Sequence, residues 1–151
     1  MAEVSRQVEV PPTKVWSVLA DGWSYPLWVV GATHMRDVDA GWPAVGTRIH
    51  HSVGVWPLML EDDTEVVGME SGRWLELRAR AWPTGAARVQ IALTAADGGT
   101  LVRMNEFVES GPGRFVPGVL EGAMLRLRNT ESLARLATIA ENRSREAAAQ
   151  R

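Results

Sequence analysis

The sequence predicts an α+β domain of seven strands in antiparallel pairing and a single long C-terminal helix, with two short helices after the first strand. Three observations predict it. Residues 33–109 divide into strand-length segments rich in alternating apolar residues. The links between them are short and made of turn residues: "GWPAVG" (41–46), "ESG" (70–72), "PTG" (83–85), "DGG" (97–99) and "SGPG" (110–113). Beyond the last of these, Phe115 to about Glu146 is rich in Leu, Ala, Arg and Glu and reads as one helix.

The elements follow in order. Val4, Val8 and Val10 alternate along residues 3–10, a first strand that Pro11 and Pro12 end. Proline costs nothing in a first helical turn, and Val15, Trp16, Val18 and Leu19 then recur at helical spacing to Asp21. A second short helix holds Trp23, Leu27 and Trp28. Six further strands are expected near 33–39, 47–55, 58–68, 73–82, 86–95 and 100–109, and links this short favour antiparallel hairpins over parallel crossovers. On the terminal helix Leu120, Met124 and Leu127 share one face, while Leu125, Leu133, Leu136 and Ala140 share nearly the opposite one. The first half of that helix is therefore expected to be buried on two sides, and the last eight or so residues to fray. With no repeat or linker, residues 1–151 are expected to form a single domain.

Composition narrows the function. A formal net charge of −2 supplies no field for nucleic acid, which is not expected as a partner. The absence of cysteine excludes disulfides and thiol chemistry. No apolar run approaches the roughly 20 residues of a membrane span, and "MAEVSRQVEV" lacks a signal peptide's apolar core, so a cytoplasmic protein is expected. Seven Trp against two Phe and one Tyr suit a wide core or a lined pocket.

The opening segment "VEVPPTKVWSVLADGWSYPLW" (8–28) carries a strand, Pro-Pro, Val-Trp-x-x-Leu and Asp-x-x-x-x-Pro-x-Trp. With the order of elements, it resembles the polyketide cyclase/dehydrase branch of the START and plant-allergen (SRPBCC) superfamily, as do the later "WPAVGTRIHHSVGVWP" and "RNTESLARLA". The resemblance covers nearly the whole chain. It implies a helix-grip (START-like) fold, with a deep apolar pocket between sheet and helix for lipids, sterols, polyketides or other hydrophobic molecules.

Strand alternation sorts the polar residues that could reach such a pocket. Neighbours on a strand point to opposite faces, so His50 and His51 cannot both face inward. His51 shares the phase of Ile49, Val53 and Val55, and His50 goes outward with Arg48 and Ser52. On the next strand Leu58, Leu60, Asp62, Thr64 and Val66 are in phase, while Glu61, Asp63 and Glu65 take the opposite, solvated face. A buried carboxylate is costly unless paired, which makes Asp62 a candidate and suggests a hydrogen-bonded His51–Asp62 pair. Leu75 and Leu77 face inward, as do Val89, Ile91 and Leu93, and on the last strand Met104 and Glu106 share the phase of Val102 and Val108. On the terminal helix Asn129 interrupts the stripe between Leu125 and Leu133, with Arg126 close to that face.

These residues define an expected ligand-binding set of Trp28, His51, Asp62, Thr64, Met104, Glu106, Arg126 and Asn129, each polar member also being open to a purely structural hydrogen-bond role. The leading expectation is binding of a small hydrophobic ligand, without cofactor. The alternative is a polyketide cyclase or dehydratase in which His51, Asp62 or Glu106 acts as general acid/base, with Arg126 or Asn129 polarising oxygen. An interaction module is a third class, for which an exposed Leu120, Met124 and Leu127 would form a partner face or homodimer interface. Metal binding is not expected: His50 and His51 with Asp62 or Asp63 form no established ligand array. Nor is there a nucleophile elbow or a phosphate-binding loop.

Overall fold

The structure, a computed structural model, describes residues 2–32, 34–53, 60–81, 85–115 and 117–151. Strand β1 (Ala2–Val8) ends at Pro11, which precedes helix α1 (Pro12–Leu19) with proline in its first turn. Val15, Val18 and Leu19 form the buried face of α1. A single 3₁₀ turn at Gly22–Ser24 leads into the one-turn helix α2 (Tyr25–Trp28). The Ser24 hydroxyl donates to the carbonyls of Val18 and Asp21, at 2.9 and 2.7 Å, so the corner between the helices is closed by its own side chain. Gly22 permits this corner to sit close: a Cβ there would meet Val38 Cγ1 at 2.6 Å.

Six more strands follow: β2 (His34–Val38), β3 (Arg48–Val53), β4 (Leu60–Glu70), β5 (Trp74–Ala81), β6 (Gly85–Ala96) and β7 (Gly99–Ser110). All pair antiparallel in the order β1-β7-β6-β5-β4-β3-β2, so the first and last strands meet and only β1 and β2 are edges. A 3₁₀ turn at Pro112–Phe115 precedes helix α3 (Gly118–Ala149). The sheet curves around α3, with α1 and α2 packed against both, and this is the helix-grip fold.

Alternation along the strands builds the core. Ile49, Val66, Leu75, Leu77, Ile91, Val102 and Met104 on the inner face meet Leu133, Leu136, Ala137 and Ala140 of α3, all buried. The outer face carries Arg48, Asp63, Glu65, Arg78, Arg80, Arg88 and Glu109 in a web of ion pairs. Glu61 belongs to β4 opposite Ser52, but its side chain lies outside the described set.

Two boundaries and one burial pattern differ from expectation in ways that matter to the fold. Strand β4 runs two residues beyond position 68, with a register shift between Val66 and Gly68 that carries it past the predicted end. Helix α3 begins at Gly118 rather than Phe115, because Pro117 sits at its N-cap with φ −52° and ψ 131°, outside the helical region. Its N-terminal half is also not buried on two sides: Leu120, Met124 and Leu127 are 53%, 60% and 77% exposed. Periodicity marks these residues as one face, but it cannot say where the covering layer stops.

Candidate functional site

Between the inner face of the sheet and the α2–α3 corner lies a cavity of about 70 Å³. Its apolar wall comes from Trp28 and Val29 of the α2 segment, Leu77 and Ala79 of β5, Val89 of β6 and Met104 of β7. The polar wall is Tyr25, Glu106, Arg128, Asn129 and Ser132. Ser132 also fixes the corner, since its hydroxyl accepts the backbone N–H of Val30 at 3.1 Å.

Glu106 is the polar centre. It stands on β7 opposite Val89 and Ala2, where only 3% of it reaches solvent. A carboxylate there requires compensation. Asn129 Nδ2 donates to Glu106 Oε2 at 2.8 Å, and the Arg128 guanidinium pairs with the same oxygen. Arg128 Nε also donates to Asn129 Oδ1 at 3.4 Å, closing a triangle that ties the last strand to the terminal helix. Because Arg128 is 41% exposed and also lines the cavity, it marks the cavity's outlet.

A second polar cluster joins the first through Tyr25. The Tyr25 hydroxyl lies 3.4 Å from Thr64 Oγ1, and Thr64 Oγ1 lies 3.1 Å from His51 Nε2. The Tyr25 ring stacks on the His51 imidazole at 6.1 Å and meets Trp28 edge-on at 5.6 Å. Burial holds the His51 imidazole below the usual histidine range, against the opposing pull of the Asp62 and Asp63 charges. Burial also pushes the Tyr25 phenol up, partly offset by its bond to Thr64. His51 Nδ1 is buried with no hydrogen-bond partner among the described residues.

The structure therefore distributes the expected residues in three ways. Trp28, Met104, Glu106 and Asn129 line the cavity. His51, Asp62 and Thr64 are buried on the inner face but outside the lining, and the cavity reaches His51 and Thr64 through Tyr25. Arg126 is exposed, and the arginine at the site is Arg128. Helical phase explains the correction: at 100° per residue Arg128 lies about 40° from Ser132, whereas Arg126 lies about 120° away.

The expected His51–Asp62 hydrogen bond is replaced by a cross-strand pairing. The two residues face each other in the β3–β4 register, but the imidazole bonds Thr64 instead and senses Asp62 only through its charge. His50 points to the other face, where Nε2 meets Asp39 Oδ1 at 2.9 Å. Among the described residues, no group of three His, Cys, Asp or Glu is arranged to hold a metal ion, and no helix is long and apolar enough to cross a membrane.

Tyr25, Arg128 and Ser132 were not foreseen. Tyr25 is the chain's single tyrosine and sits three residues before Trp28, a placement that turns a polar tip toward the same wall. Arg128 and Ser132 are spaced four apart beside Asn129 and so share a helix flank with it.

The family described as polyketide cyclase/dehydrase and lipid transport matches residues 1–141. Among solved structures, DynU16, described as a protein in the dynemicin biosynthetic locus, is similar at 25% identity and a TM-score of 0.65. The match covers 93% of this chain and 46% of that one, so this chain spans about half the length of DynU16. Ara h 8.0201 is similar at 14% identity and a TM-score of 0.68, over 93% and 96% of the two chains. The di-domain aromatase/cyclase StfQ of the steffimycin biosynthetic pathway is similar at 12% identity and 0.69, over 94% of this chain and 50% of that one. No curated protein matches the chain.

Proposed function

The chain belongs to the polyketide cyclase/dehydrase and lipid transport family, and on that premise we propose that it binds a small hydrophobic molecule, lipid- or polyketide-like, between the sheet and α3. The observation that carries this reading is the wall itself: Trp28, Leu77, Val89 and Met104 supply apolar surface, and a fixed Glu106–Arg128–Asn129 triangle supplies the polar groups that orient a ligand. The space of about 70 Å³ holds only a few carbon atoms of a ligand, less than the roughly 150 Å³ of a cavity that takes a benzene ring. A longer ligand extends past Arg128 or requires α3 to move outward. Native mass spectrometry of protein purified from its own host, followed by extraction of any retained molecule, tests the proposal. A stoichiometric apolar adduct supports it, and protein that arrives empty and binds no hydrophobic probe contradicts it.

One observation favours a second reading, a cyclase- or dehydratase-type enzyme: the chain from Tyr25 at the cavity wall through Thr64 to His51. A neutral imidazole holds its proton on either nitrogen, so this chain can pass hydrogen to or from the phenol. The phenol would then serve as general acid/base toward an enolisable carbonyl whose oxygen is polarised by Arg128 or Asn129. His51 acts in this scheme through Tyr25, and Asp62 acts through His51. Tyr25→Phe separates the readings: a carrier keeps its ligand, whereas an enzyme keeps binding and loses turnover.

A further inference from the structure

Glu106 leaves half of its carboxylate unused. The Arg128 guanidinium and Asn129 Nδ2 both bind Oε2, and Oε1 accepts no hydrogen bond among the described residues. The residue is buried and lines the cavity, so the donor that this oxygen lacks can reach it only from that space. Ser132 holds the complementary half. Its hydroxyl accepts the Val30 N–H at 3.1 Å, and no described group takes its own proton, which is left to donate. Asn129 has less to offer a ligand, because it gives a proton to Glu106 and its Oδ1 takes one from Arg128. Charge is balanced in place, since the guanidinium is already opposed by the carboxylate beside it.

We propose that the ligand is an uncharged hydrophobic alcohol whose hydroxyl donates to Glu106 Oε1 and accepts from Ser132 Oγ, a choice that rests on the binding of a hydrophobic molecule in this cavity. A hydroxyl is small and both gives and takes a hydrogen bond. The space of about 70 Å³ admits it with the few carbons next to it. Those carbons meet Trp28, Val89 and Met104, and the rest of the molecule leaves past Arg128. A fatty acid suits the site less well: its carboxylate has no proton to give at neutral pH and sets a second negative charge against Glu106. A ketone can accept from Ser132 but leaves Oε1 without a donor, which is costly in a buried wall. An ammonium group suits Oε1 but meets the Arg128 guanidinium that already holds the carboxylate. The apolar wall takes any of these chains, and the polar pair sorts them by the group at their end.

The test is NMR titration of the isotope-labelled full chain at neutral pH with three probes of similar length: n-octanol, methyl hexyl ketone and octanoate. Shifts of the Asn129 side-chain amide and the Trp28 indole report occupancy. The wild type is expected to bind n-octanol at least about tenfold more tightly than either of the others, the margin set by a hydrogen bond to a buried charged group. Glu106→Gln keeps an acceptor for Asn129 and puts an amide donor where the open oxygen stood. The variant should therefore bind the ketone and n-octanol within about twofold of each other, and octanoate should gain. Circular dichroism checks that the variant folds, and the wild-type order alone decides the matter if it does not. Ketone or octanoate binding as tightly as n-octanol to the wild type, or an unchanged preference in Glu106→Gln, overturns the choice of an alcohol and leaves the cavity's binding role standing. If none of the three probes moves either signal, both fall together.

Discussion

Glu106 of the last strand and Arg128 of the terminal helix form an ion pair across the outlet of the cavity, with Asn129 donating to the same carboxylate oxygen. This contact couples three levels of the molecule. It closes the sheet onto α3, compensates the most deeply buried carboxylate among the described residues, and sets polar chemistry beside Met104 and Trp28.

Removing one partner should therefore cost more than a surface pair does. Arg128→Ala leaves Glu106 buried with Asn129 alone, and a loss of about 2–3 kcal/mol is expected, below the full cost of an orphaned buried charge because Arg128 is half-exposed. Glu106→Gln keeps an acceptor for Asn129 and should lose less. Urea denaturation of the two variants checks the order, which reverses if the pair is not what satisfies the carboxylate.

The buried imidazole predicts a dependence on pH. His51 has its pKa lowered in the folded protein, so below about pH 6.5 the unfolded chain takes up a proton that the folded chain resists. Stability should be flat in this term above that pH and fall as pH drops through the window beneath it. His51→Gln should flatten the acidic limb of a stability curve measured from pH 5 to 7. An unchanged limb would mean that His51 protonates freely in place.

Thr64 holds two groups at once. Thr64→Val keeps the shape but leaves the Tyr25 hydroxyl and His51 Nε2 without their shared partner, at a cost of about 1–3 kcal/mol. Nitrogen NMR of the imidazole gives a second readout, because losing the bond to Nε2 should shift its tautomer balance. If neither stability nor tautomer moves, the chain from Tyr25 to His51 does not exist in solution.

Much of this architecture is written in the sequence as periodicity. Alternation alone separates His51 from His50 and Asp62 from Asp63, and puts Met104 and Glu106 on the inner face, because a strand has only two faces and one of them is buried. A helix has no such binary choice. Asn129 is legible as a polar break in an apolar stripe, but whether Arg126 or Arg128 serves the site depends on which flank of α3 faces α2, a tertiary fact. Tyr25 escaped for a related reason: its helix is one turn long, too short for periodicity to show. The Leu120–Leu127 face misled because an apolar stripe looks the same whether the fold covers it or leaves it open.

The size of the cavity should be adjustable from Met104. Met104→Ala removes a buried side chain from the wall, costing about 2–5 kcal/mol of stability. It should also admit a larger hydrophobic probe than the wild type accepts, read as a gain in fluorescence on titration. Loss of stability with no gain in probe binding would place Met104 in the core alone.

Ligand binding between sheet and helix is tested most directly by NMR titration of the labelled protein with its extracted ligand or a hydrophobic probe. The account predicts saturable, one-to-one shifts centred on the Trp28 indole, the Met104 methyl and the Asn129 side-chain amide. Shifts confined to exposed Trp23 and the Leu120–Leu127 face, or none at saturating probe, would contradict it.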